Sequence, residues 1–161
     1  MLTQNRLHEL LLYDPATGVF KWRHSTRRQV AGAVAGTLAS NGYIRIKVDG
    51  PAYLAHRLAW LYMHGEFPPS YIDHKDQDKQ NNSISNLRLA TQSQNCANAK
   101  AKSTNTSGIK GVHYDKLSSK WVASTMSKGV RWSSKHNTLE DASAAVRAMR
   151  IKLHGKFANN G

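Results

Sequence analysis

Asp73 and His74 close the short run Tyr71-Ile72-Asp73-His74, an asparagine stands 12 residues after the histidine at Asn86, and another lies 9 further on at Asn95. Hydrolysis of a phosphodiester at neutral pH needs a base for the attacking water and something to absorb charge on the phosphate and the leaving oxygen. An imidazole with an ordinary pKa of about 6.5 can take the proton. A carboxylate with a carboxamide oxygen suits a hard divalent ion that keeps positions open for water and phosphate. Asp73 and Asn95 as ligands of one divalent ion, with His74 as base, are a sufficient minimal set. Magnesium is the expected ion, with manganese second. Neighbouring strand residues point to opposite faces, so a bulge or the strand's end must turn Asp73 and His74 toward one centre. A calcium loop starting at Asp76 would need glycine at 81 and glutamate at 87, where the chain has Asn81 and Leu87, and is excluded. Cys96, the sole cysteine, excludes an intramolecular disulfide and zinc sites built on paired cysteines; it is read as a half-buried helix residue.

The elements that must hold these side chains follow from periodicity. Leucines at 7, 10 and 11 predict a short helix within 2–12, ahead of the turn Asp14-Pro15-Ala16-Thr17-Gly18. Residues 19–22 and 43–48 read as strands, with turns at Asn41-Gly42 and Asp49-Gly50-Pro51. Arg45 and Lys47 share one face of the second strand, open to phosphates or simply solvated. A helix over 56–64 stops at Gly65, and Pro68-Pro69 leads into the extended run 71–74. After a polar loop, 75–85, come a strand at 87–89 and a helix from Gln92, whose Thr91 and Gln94 fit a capping box. Three strands at about 109–114, 120–126 and 129–134 precede a helix opened by Thr138, with Ala142, Ala145, Val146, Met149 and Leu153 on one side.

The fold class is therefore α+β in two small domains: 1–100 (a β-rich extension, 1–50, and a core, 51–100), a polar linker at 101–108, and 109–161. An apolar fraction of 40% is low for a single large core. The formal charge is +13, distributed as +5 over residues 1–100 and +8 over 101–161, and implies a polyanionic partner. There is neither a signal peptide nor an apolar stretch of membrane-spanning length, so a cytoplasmic protein without a membrane partner is expected, not a secreted one.

Taken in order, His56-Arg57-Leu58-Ala59-Trp60, Ile72-Asp73-His74-Lys75-Asp76, Asn81-Asn82, Ser85-Asn86-Leu87-Arg88 and Thr91-Gln92-Ser93-Gln94-Asn95 resemble the HNH (His-Asn-His) homing endonucleases of phages and mobile introns. The resemblance covers about 50–100 and implies a ββα-metal fold. It further implies that His74 is the general base, that Asp73 and Asn95 bind the metal, and that Asn86 braces the loop orienting His74. His56 and Arg57 belong to the same pattern, as phosphate contacts or helix-packing residues, and Arg88 joins the DNA-contacting set. A phage origin would place the protein in the cytoplasm of a bacterial host.

Residues 105–159, with Ser107-Gly-Ile-Lys-Gly-Val-His-Tyr-Asp-Lys-Leu-Ser-Ser-Lys-Trp-Val-Ala at their start, resemble the APETALA-type (ethylene-response-factor) DNA-binding domain. That resemblance implies a three-stranded sheet in the major groove with a helix behind it. Alternation sends Trp121, Ala123 and Thr125 toward the helix, and Val122, Ser124 and Met126 toward DNA. Lys110, His113, Lys116 and Trp132 match DNA-facing positions, with Arg131 and Lys135 as phosphate partners. The expected function is metal-dependent cleavage of double-stranded DNA by a monomer or homodimer, nicking or cutting both strands. The alternative is a non-catalytic DNA-binding regulator on the same scaffold.

Overall fold

The computed structural model describes residues 1–99, 101 and 104–159. The architecture is α+β, with small antiparallel sheets in two compact units, Met1–Ala90 and Thr91–Gly161. The second unit begins with the helix at residue 92, ahead of the polar segment 101–108.

In the first unit, α1 (Gln4–Leu10) is capped by Thr3, whose hydroxyl accepts from the Arg6 N–H. It leads into a hairpin of β1 (Leu11–Tyr13) and β2 (Phe20–Trp22). Strands β3 (Thr37–Leu38), β4 (Ile44–Lys47) and β5 (Ala52–Leu54) form a second sheet with β4 central. In β4 the branched Ile46 is buried while Arg45 and Lys47 are exposed on the other face, as period-2 alternation requires. Helix α2 (Ala55–His64) ends at Gly65, whose φ of 84° supplies the left-handed stop. Leu7, Leu11, Phe20, Ile46, Leu58 and Leu61 fill the core beneath these elements, with Trp60 packed at its margin. The last elements are β6 (Tyr71–His74), a 3-10 turn (Ile84–Asn86) and β7 (Leu87–Ala90), with β6 and β7 paired antiparallel.

In the second unit, α3 (Gln92–Asn98) carries the capping box: the Thr91 hydroxyl accepts from the Gln94 N–H and the Gln94 side chain accepts from the Thr91 N–H. The chain order β6, β7, α3 is that of the ββα-metal motif. Strands β8 (Val112–Asp115), β9 (Lys120–Ser127) and β10 (Val130–His136) form an antiparallel sheet with β9 central, packed on α4 (Leu139–His154), which Thr138 caps. Val112, Ala123, Ala142 and Val146 form this unit's core. Register fixes the faces. His113 and Lys135 both pair with Val122, Ser133 with Ser124, and Arg131 with Met126, so these residues share the outer face. Trp132 pairs with Thr125 and packs on the core beside α4, which corrects its expected place facing DNA.

Among the described residues no helix is long and apolar enough to cross a membrane.

Candidate active site

His74 ends β6. Pairing across Asp73↔Arg88 and His74↔Leu87 is continuous, so the strand runs to its end without a bulge at these two residues. Both are buried, Asp73 at 3% and His74 at 5% exposure. Asp73 Oδ2 accepts from Arg88 Nε at 2.7 Å and lies 2.6 Å from its Nη2. Arg88, expected to contact DNA, is thus the cross-strand counter-ion of Asp73; register determines this, because the two residues face each other directly.

His74 Nε2 lies 3.4 Å from Asn82 Oδ1. The Asn82 amide donates through Nδ2 to the Gln80 carbonyl at 2.9 Å, which orients its oxygen toward the ring and makes Nε2 the donor. Asn82 is itself anchored, since its carbonyl accepts from the Tyr13 hydroxyl at 2.8 Å. Gly18 lies against the same segment: a Cβ there would come within 2.3 Å of Asn82 C and Ser83 N, and its φ is +76°. The Ile84 N–H donates to the Pro15 carbonyl at 3.0 Å. The turn between β1 and β2 therefore backs the stretch that touches His74.

Asn86, 8% exposed, ties the loop at its other end. Its Nδ2 donates to Asp76 Oδ1 (2.9 Å) and to the Asn81 carbonyl (2.8 Å); its Oδ1 accepts from the Asp76 N–H (3.1 Å), and its backbone carbonyl accepts from the Lys75 N–H (2.9 Å). Burial opposes the charge of Asp76, but hydrogen bonds from the Asp78 N–H, Asn81 and Asn86 outweigh it and hold the carboxyl below its ordinary range.

His56 packs edge-on against His74, ring centroids 5.1 Å apart, with Tyr43 5.2 Å from His56 and 6.0 Å from His74. Lys79 lies over the Tyr43 ring at 4.8 Å and donates to the Asn41 carbonyl. His56 is 6% exposed, and its Nδ1 has no hydrogen-bond partner among the described residues. Burial, then the nearby charges of His74 and Arg57, push its pKa down to about 3. Burial also lowers His74, against the opposing effects of Asn82 and of Asp76, Asp73 and Asp78. Both imidazoles are neutral at pH 7. His56 is buried, while Arg57 donates to the Pro68 carbonyl and lies 5.8 Å over the Phe67 ring.

The donor set fits a hard cation. Asp73 offers a carboxylate whose charge is already partly met by Arg88, and carboxamides supply neutral oxygen. Among the described residues no three His, Cys, Asp or Glu side chains gather for a metal. Asn95 sits in the first turns of α3, half-buried, its N–H donating to the Thr91 carbonyl at 3.0 Å. Cys96, expected half-buried, is exposed.

The remaining expected DNA contacts divide. Arg45 and Lys47 are exposed and line a cleft of about 730 Å³ with Arg27 and Arg28, residues absent from the expected set. His113, Ser124, Arg131 and Lys135 share the outer face of the C-terminal sheet, with Lys135 paired to Asp115 at 3.0 Å, and Lys116 is exposed in the β8–β9 turn. The Lys110 ammonium donates to the carbonyls of Ala97 and Ala99, and burial, then Arg150, pushes its pKa down to about 8.

A buried Asp-His pair ends β6, carboxamides hold the loop after it, and a capped helix follows in the chain. The family model for HNH endonucleases matches residues 53–97, on both sides of the boundary at 90/91. "Protein 3.8" of Escherichia phage T7 is 34% identical over 104 residues, which cover 64% of this chain and 86% of that protein. "Uncharacterized HNH endonuclease L560" of Acanthamoeba polyphaga mimivirus is 33% identical over 124 residues, covering 75% of this chain and 63% of that protein's length. The solved structure described as "DNA binding and cleavage by the HNH homing endonuclease I-HmuI" is 21% identical, with 90% of this chain and 85% of that one covered, at a TM-score of 0.43. The chain belongs to the HNH endonuclease family and is a DNA endonuclease. Enzymes of this family use a divalent metal ion.

Proposed function

We propose that this chain is a magnesium-dependent endonuclease of double-stranded DNA, of homing-endonuclease type, that works inside a bacterial host cell. The observation that carries the reading is the buried Asp73-His74 pair ending β6, with Asn82 and Asn86 holding the following loop. Asp73 and Asn95 would hold the ion, with manganese as a functional substitute, and when bound it supplies charge neutralisation at the phosphate and the leaving oxygen. His74, held neutral by burial, takes the proton of the attacking water. Asn82 accepts from Nε2–H and so orients the ring. Asn86 acts through the loop, as a positioning residue.

The reading assigns a nuclease to 1–100, a linker to 101–108 and a DNA-binding module to 109–161. The outer face of the C-terminal sheet, with His113, Ser124 and Arg131, would dock the duplex in the manner of the APETALA-type domain it resembles, and Arg45 and Lys47 would contact phosphates. With one centre per chain, a monomer makes one nick per binding event, and a homodimer cuts both strands.

Incubation of supercoiled plasmid with magnesium, with manganese and with EDTA tests the reading. Relaxation that requires either ion and stops in EDTA is the expected result; relaxation undiminished by EDTA contradicts the metal assignment. Parallel incubations with single-stranded DNA and RNA should show slower cleavage than the duplex.

A further inference from the structure

A cavity of about 320 Å³ lies in the second unit, lined by α3, the residues just before β8, β9 with the turn after it, and α4. Lys110, Lys128, Arg150 and His154 line it, together with Ser93 and Thr125, and none of its lining residues is acidic. Arg150 is 3% exposed. One guanidinium nitrogen, Nη2, donates to the Lys110 carbonyl, whereas Nη1 is buried with no hydrogen-bond partner among the described residues. A buried charge without a counter-charge costs several kcal/mol. Gly111 makes room for this arrangement: a Cβ there would come within 2.6 Å of Arg150 Nη2 and 2.4 Å of the Ser124 carbonyl. Neighbouring cations add to the imbalance. Burial, then Arg150, lowers Lys110, and burial, then Lys110 and Arg150, lowers His154. The missing partner is an anion with several acceptor oxygens, suited to a guanidinium fork and nearby hydroxyls.

We propose that this cavity binds a phosphate group through Arg150, with Lys110, Lys128 and His154 around it. The ligand is either free phosphate or one backbone phosphate of DNA.

The test uses the full chain. Thermal unfolding is followed in sodium phosphate and in sodium chloride at matched ionic strength. Phosphate at about ten times its Kd should raise Tm by about 3 °C beyond chloride. Arg150→Met should abolish that difference. Should Arg150→Met not fold, Lys128→Ala with His154→Gln, which leaves the buried core in place, should weaken phosphate binding by about tenfold in calorimetry. No phosphate-specific shift in the native protein, or an undiminished one in the variants that fold, overturns the proposal. The source follows from duplex affinity measured against salt. A backbone phosphate predicts a slope smaller by about one in Arg150→Met, since buried Arg150 reaches a ligand only through the cavity. Free phosphate predicts an unchanged slope with the thermal effect still present.

Discussion

At the scale of single residues, the centre depends on an imidazole kept neutral and held by carboxamides. Because burial sets His74 below its ordinary 6.5, the cleavage rate should be flat from pH 7 to 8 and fall about tenfold per unit once pH drops beneath the folded pKa. A rate–pH profile under single-turnover conditions checks this; a rising acid limb would mean that the protonated ring is the active form. Asn86→Ala leaves the Asp76 N–H and the Asn81 carbonyl without that partner and takes one hydrogen bond from the Asp76 carboxylate, and should destabilise the protein by about 2–4 kcal/mol in urea unfolding. Arg88→Ala removes the cross-strand counter-ion of the buried Asp73 and should cost about 3–5 kcal/mol by the same measurement. The pattern Asp73, His74, Asn86 and Asn95 stands out in the sequence because chemistry and spacing restrict each to few residue types; the structure puts Asp73 and His74 at the end of β6 and Asn86 in the loop after it. Arg88 was misplaced, since its partner follows from strand register, which the sequence states only indirectly. Asn82 was quoted within the family pattern yet given no role, because its contact with His74 forms across a loop whose path the turn propensities leave open.

At the scale of elements, the β1–β2 hairpin acts on the site through its turn. Gly18→Ala must push a Cβ into the backbone of Asn82 and Ser83 at a left-handed φ, so it should lower stability by more than about 1 kcal/mol and slow cleavage, with duplex affinity little changed. Unfolding curves and cleavage rates, measured side by side, test both parts. The C-terminal sheet offers a matching contrast. Trp132→Ala removes core packing and should cost about 2–4 kcal/mol of stability, whereas Arg131→Ala should leave stability within about 0.5 kcal/mol and reduce the salt slope of duplex binding by about one. Period-2 alternation placed Ala123, Thr125, Ser124 and Met126 on their observed faces. Trp132 was placed by family resemblance instead, and the pairing with Thr125 decides its face. The Lys110 contact was missed for a related reason: the residue precedes β8, and its ammonium caps the carbonyls at the end of α3, a contact that spans 13 residues to Ala97.

At the scale of the whole molecule, buried neutral histidines make folding sensitive to acid. His56 titrates near 6.5 when unfolded and at about 3 when folded, so the unfolded state binds the extra proton between those values. Its effect is absent above pH 6.5, and stability falls by up to about 1.4 kcal/mol per unit below it. Urea unfolding at pH 7.5 and 5.0 should show this loss, and His56→Gln should reduce it. The excess of basic residues fits a polyanionic partner, while the proposed catalysis rests on one small buried constellation. The direct measurement is therefore the nicking rate of His74→Ala on duplex DNA, with binding affinity determined on the same preparation. Affinity within about twofold of the native protein and a rate lower by at least about 100-fold is the predicted result. A variant that binds and nicks at the native rate would contradict the assignment of His74 as base.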